Sequence, residues 1–232
     1  VITALAFVPS TPLLVPAVAA GAAAELDGLR AACDLAVRRA LSGAPARVVL
    51  VGAGSETREL GSGTGSLHGI GVELEVPLDP ALRGVASLPL SLTLGAWLLG
   101  RVGWPGDRAA IELAADAEQA ELDEVAAALA GDTVRTALLV VADGSASRTE
   151  KAPASLHPDA EAFDRAVADA LAGGDPALLA AIDRDRAAAV SSAGWPAWHV
   201  AACAAAGSAY DAELHADEAP YGVGYLAASW LR

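Results

Sequence analysis

The stretch ALAFVPSTPLLVP, residues 4 to 16, passes from an uncharged, strand-like run into three prolines and sets Ser10 where the chain leaves that run. A side chain at such a strand exit is placed to meet a ligand, so its chemistry matters. Asp143, Ser145 and His157 lie close in sequence and suggest a hydrolase triad. A nucleophile elbow, however, needs glycines two residues either side of its serine, and Asp143 and Ser147 stand there instead. Triads are also assembled in space rather than along the chain, so His157 and Pro158 are read as the start of a helix. The four histidines, His68, His157, His199 and His215, form no H-x-x-x-H pair that would put two on one helical face. His199 is expected in or beside the core, with its ring hydrogen-bonded. His215, Asp217 and Glu218 could converge on a metal, but no further strong ligand is evident, and the segment reads as a solvated acidic loop. The glycine-rich segment from Gly52 to Gly69 has neither the third glycine of a dinucleotide fingerprint nor the Gly-Lys-Ser/Thr of a phosphate loop. It is read as a mobile loop.

The elements that must position these groups follow from the apolar pattern. Short apolar runs at 2–8, 47–52, 109–113 and 135–143 read as buried strands. Helical spacing separates them. Leu26, Leu29, Cys33, Val37 and Leu41 make one apolar stripe, and further helices are expected over 88–102, 117–130, 159–171, 176–182 and 196–206. Asp175 is placed to cap the fifth of these, with Pro176 in its first turn. Continuous apolar strands alternating with helices imply a single α/β domain over 1–232, with a mostly parallel central sheet covered on both faces. VELEVPL at 72–78 alternates apolar with acidic or proline positions and reads as a half-exposed edge strand. In such a sheet, ligands sit outside the carboxyl ends of the strands. The segments after Val8, Gly52 and Asp143, and HADEAPYGVGY near the C-terminus, are therefore the ones to inspect.

Composition narrows the function. The chain has 232 residues and a formal net charge of -14, and Lys151 is its only lysine, so a phosphate backbone would repel it and nucleic acid is not an expected partner. Hydrophobic residues reach 54%, but much of the excess is alanine, which implies a core of small, closely packed side chains. Cys33 and Cys203 lie outside any C-x-x-C spacing and fit a reducing cytoplasm as small buried hydrophobes. Residues 1–24 carry no charge, yet Pro9, Pro12 and Pro16 interrupt them and no basic residue precedes the apolar run. We expect neither a signal peptide nor a membrane association. The apolar composition makes a homo-oligomer plausible.

Taken together, the strand-exit segments resemble the LigB-type class III extradiol ring-cleavage dioxygenases and the related Memo-like proteins. Where that family typically opens with MPHPPLLVP, this chain has VPSTPLLVP at 8–16. Against the family's VVVSPH stands VVLVGAG at 48–54, and against SGDLSHRLTPDAPAGYDPRGKEFD stands VADGSASRTEKAPASLHPDAEAFD at 141–164. The family's YEAPFGVGY is matched by DEAPYGVGY at 217–225. The resemblance runs in order through nearly the whole chain. It implies a facial triad of two histidines and one glutamate around non-haem Fe(II), open to a catechol and dioxygen.

Laid on this sequence, the first metal histidine falls on Ser10, the second on Gly54 and the acid/base histidine on Ala146, while the glutamate persists as Glu218. A serine hydroxyl is a poor Fe(II) ligand, glycine and alanine offer nothing, and one carboxylate binds a divalent ion weakly. The resemblance therefore implies a catalytically degenerate member with no cofactor, retained to bind a small molecule or a protein partner, its pocket marked by Ser10, Gly54, Ala146, Glu218 and Tyr221. Tyr221 and Tyr225 either line that pocket or fill it. The alternative is an active enzyme, either a ring-cleaving dioxygenase using Fe(II) or another divalent metal, or one with changed chemistry centred on Glu218 with Asp143, His215 or Ser10.

Overall fold

The computed structural model describes residues 1–82 and 84–232. In chain order the elements are β1 (Ile2–Val8), α1 (Pro16–Ala19), α2 (Asp27–Ser42), β2 (Arg47–Gly54), β3 (Arg58–Leu60), β4 (Thr64–Ser66) and β5 (Glu75–Pro77). They continue with α3 (Leu90–Val102), β6 (Asp107–Ala114), α4 (Gln119–Gly131), β7 (Thr136–Val141) and α5 (Ala160–Gly173). The chain ends with α6 (Pro176–Ala180), α7 (Arg184–Ala189), α8 (Trp195–Ala205), β8 (Asp211–Glu218) and β9 (Tyr225–Leu231). Seven strands form one sheet in the order β3-β6-β2-β7-β1-β9-β8. Its centre, β6, β2, β7 and β1, is parallel, as the apolar runs imply, and antiparallel strands extend it on both sides. The order reverses around β7, so the exits of β1, β2 and β7 open on one edge, where α/β sheets bind ligands.

Alternation along each central strand splits the core in two. Leu5, Phe7, Val49, Val51, Leu138 and Val140 face α4, α5 and α8. Ala4, Ala6, Val8, Val48, Leu50, Leu139 and Val141 face α2 and α3. On α2, alanines 32, 36 and 40 share the buried face with Leu29, Cys33 and Val37. Small side chains there let the helix lie close to the sheet, which explains the alanine-rich composition. The Asp175 carboxylate accepts from the amides of Ala177 and Leu178 at 2.8 and 3.3 Å, capping α6 as expected.

Three expectations are corrected. Residues 72–78 do alternate in burial and supply the half-exposed strand β5, but it pairs with β4 in a separate two-stranded ribbon and is no edge of the central sheet, whose edges are β3 and β8. The glycine-rich segment is not a plain mobile loop, because it contains β3 and β4, and β3 pairs with β6. His215, Asp217 and Glu218 belong to strand β8 rather than to an acidic loop. Edge strands expose one side of their ladder and tolerate polar residues on both faces, so β8 carries little of the periodicity that marks the central strands. No helix among the described residues is long and apolar enough to cross a membrane.

Candidate functional site

A cavity of about 380 Å³ opens at the exits of β1 and β7. The chain after β1 contributes Thr11, Pro12 and Leu13; that after β7 contributes Asp143 and Ala146; and the approach to β9 contributes Tyr221, Val223 and Tyr225. Both tyrosines therefore line the space. The walls are mainly apolar, and polar groups converge at a few points, as small-molecule sites require.

Asp143 is the charged group of this cavity. Its Oδ1 accepts the backbone N–H of Ser10 at 2.7 Å, which ties the exit of β1 to that of β7. Burial pushes its carboxyl up to about 7, although the Ser10 amide opposes the shift. Burial also raises the Tyr225 phenol, against the hydrogen bond from Thr11, and the nearby Asp143 charge raises it further. Tyr221 donates its hydroxyl to Glu25 Oε2 at 3.0 Å, and that bond holds its proton on. The site thus offers a carboxyl able to exchange a proton near neutrality, two phenols and an apolar slot. Such a site can bind a ring that carries a hydroxyl or amine, and can move a proton on it.

Four backbone hydrogen bonds hold the cavity's loops. Gly144 N donates to Gly224 O, Gly224 N to Ser145 O, Arg148 N to Gly222 O and Ala146 N to Val190 O, at 2.8–3.0 Å. Beneath them, Asp164 of α5 accepts from Ser145 N at 2.6 Å and from Ser145 Oγ at 2.8 Å, with Arg148 Nη1 at 3.5 Å. A Cβ on Gly224 would stand 2.4 Å from Asp164 Oδ2, so only glycine fits where these loops meet. Ser145 is fully buried and its proton is committed to Asp164, which leaves it no role as a nucleophile. His157 stands at the entry to α5, its Nδ1 accepting from Asp159 N at 3.2 Å.

The structure separates the residues expected at the site. Ala146 and Tyr221 line the cavity, and Ser10 touches it through its amide on Asp143. Gly54 and Glu218 are not among the lining residues. At the end of β2, a Cβ on Gly54 would lie 2.2 Å from Glu112 Oε1. Glu112 is buried and accepts from Ser55 N at 2.8 Å and Arg58 Nε at 2.9 Å. Burial alone would raise its carboxyl, but these bonds outweigh that and hold it below the usual range. The space beside Gly54 is therefore filled by the Glu112 side chain, which leaves no room there for a histidine. Glu218 is exposed at the end of β8. His215 lies inward on the same strand, its Nε2 2.9 Å from Ser229 Oγ, and burial lowers its pKa. With a serine, a packed glycine and one exposed carboxylate, the three ligand positions do not fit a non-haem iron.

No family model matches this chain, and no curated protein sequence matches it. Among solved structures it is similar to an uncharacterized protein, JW3007, from Escherichia coli K12. The TM-score is 0.55 at 12% identity, over 99% of this chain and 100% of that one. The likeness spans both chains from end to end and is one of fold.

Proposed function

We propose that this protein is a metal-free, small-molecule-binding relative of the extradiol dioxygenases, with its ligand in the Asp143 cavity. The observation that carries this reading is Gly54: the strand framework and the strand-exit cavity remain, while Glu112 occupies the space a metal-binding histidine would need. The preferred ligand is a small aromatic or alicyclic ring that places a hydroxyl or amine on Asp143 and its apolar edge against Leu13 and Val223. With a charge of -14 and unpaired cysteines, the protein suits a reducing cytoplasm and neither nucleic acid nor membrane. Calorimetric titration with catechol tests the assignment. Binding by the wild type, weakened about tenfold in Asp143→Asn and lost when Ala146→Phe fills the slot, is the expected result. Ring opening of catechol after anaerobic reconstitution with Fe(II) overturns it.

A second reading, an enzyme with changed chemistry, is favoured by the Asp143 carboxyl near 7, poised as a general acid or base. It moves the centre from Glu218, which is exposed, to Asp143, which is in the cavity. Under this reading Asp143→Asn abolishes a turnover found by substrate screening, and Glu218→Gln leaves it intact.

A further inference from the structure

Away from the Asp143 cavity, α4 and α8 bring three different donors together. His199 and Cys203 are four residues apart on α8 and share one face, and Asp123 comes from α4. His199 Nε2 lies 2.7 Å from Asp123 Oδ1 and 3.7 Å from Cys203 Sγ, and the three donor atoms lie within 4.8 Å of one another. The imidazole is buried and stacked on Trp195, with centroids 5.0 Å apart and planes 22° from parallel, so its direction is set before any ligand arrives.

One ring nitrogen cannot donate to one neighbour and accept from the other at the same time. Both neighbours face the same ring nitrogen, which carries either one proton or one lone pair. If Nε2 donates to Asp123, the Cys203 thiol has no acceptor there. If Nε2 accepts from the thiol, its lone pair faces a carboxylate. A thiol–imidazole–carboxylate relay is also excluded, because it needs the two partners on opposite ring nitrogens. A cation at the centre accepts all three lone pairs at once.

We propose that Asp123, His199 and Cys203 bind a zinc-class divalent cation, with the fourth coordination position open to solvent. Tetrahedral zinc with nitrogen, sulfur and oxygen ligands needs donor atoms roughly 3.3–3.6 Å apart. The nitrogen–sulfur spacing of 3.7 Å is only slightly wider than this, and the half-exposed Asp123 side chain, now 2.7 Å from the ring nitrogen, has room to swing outward. Mixed soft and borderline donors favour zinc or cobalt over magnesium or calcium. Burial and the Asp123 charge both raise the Cys203 thiol, so the metal-free site keeps its proton and releases it when the ion binds.

Cobalt(II) is the probe, titrated into the reduced full-length chain under anaerobic conditions. One equivalent should bind with a thiolate-to-cobalt charge-transfer band that zinc bleaches. Cys203→Ser should abolish the band, Cys33→Ser should leave it, and Asp123→Asn, at a half-exposed position that does not threaten folding, should weaken binding at least about tenfold. Absence of the band in the wild type, its survival in Cys203→Ser, or unchanged affinity in Asp123→Asn overturns the site. Catechol titration of Asp123→Asn should match the wild type, which keeps this test separate from that of the cavity.

Discussion

The backbone amide of Ser10 donates to Oδ1 of Asp143 across the exits of β1 and β7, at 2.7 Å. One hydrogen bond does not offset the loss of water, and the Asp143 carboxyl is raised to about 7. Its unfolded value is about 3.9, so between roughly pH 4 and 7 the folded chain holds a proton that the unfolded chain releases. Asp143 therefore makes stability fall as pH rises through that window. Asparagine can accept from Ser10 without ionising. Asp143→Asn should gain about 2–4 kcal/mol over the wild type at pH 8 and little at pH 4, read by urea denaturation at both.

Gly54 and Glu112 should be coupled. Because a Cβ at residue 54 falls 2.2 Å from Glu112 Oε1, Gly54→Ala must displace a carboxylate that holds the Ser55 amide and Arg58. The expected cost is about 2–3 kcal/mol in the wild type and under about 1 kcal/mol on a Glu112→Ala background. A double-mutant cycle in urea measures the difference. Gly54→His, with a larger side chain in the same space, should destabilise more than Gly54→Ala and should not gain iron.

Asp164 secures the loops around the cavity through Ser145 and Arg148. Asp164→Ala leaves the buried Ser145 amide and hydroxyl unpaired and should cost about 3–5 kcal/mol. Asp164→Asn keeps one acceptor and should cost less. Hydrogen exchange at the amides of Ser145 and Gly224 should accelerate in Asp164→Ala ahead of the β1 and β7 amides, because the loops lose their anchor while the sheet's ladder remains.

The parallel centre of the fold was legible because β1, β2 and β7 are buried on both faces and read as apolar runs, and β6 does so apart from the buried Glu112. The YLAASWL segment of β9 has the same character, but it follows a glycine turn and pairs antiparallel with β1, a partner more than 200 residues away that local pattern does not reveal. At the site, that Ser10, Gly54 and Ala146 carry no metal-binding or proton-transferring imidazole was visible from residue types. That Glu112 fills the space beside Gly54 was not, since the two meet only through the pairing of β2 with β6. The four-residue spacing of His199 and Cys203 puts both on one helical face, but Asp123 joins them only through the packing of α4 on α8, which local spacing does not reveal.

His215 opposes Asp143 in the pH response. Arg39 Nε donates to Ser229 Oγ at 3.0 Å, and His215 Nε2 lies 2.9 Å from the same oxygen. Burial lowers the pKa of this ring, the Arg39 charge acts the same way, and the Glu213 charge opposes them. As pH falls below about 6.5, the unfolded histidine takes up a proton before the folded one does, and stability drops until the folded value is reached. Glutamine offers Ser229 an acceptor that does not titrate. His215→Gln should remove the acid-side loss and leave the decline toward neutrality set by Asp143, whereas Asp143→Asn should leave only the acid-side loss. Between pH 5 and 7 the wild-type profile should be flatter than either variant, because its two slopes have opposite sign. Melting temperatures of the three proteins across that range decide it, and parallel profiles would show that neither group controls the response.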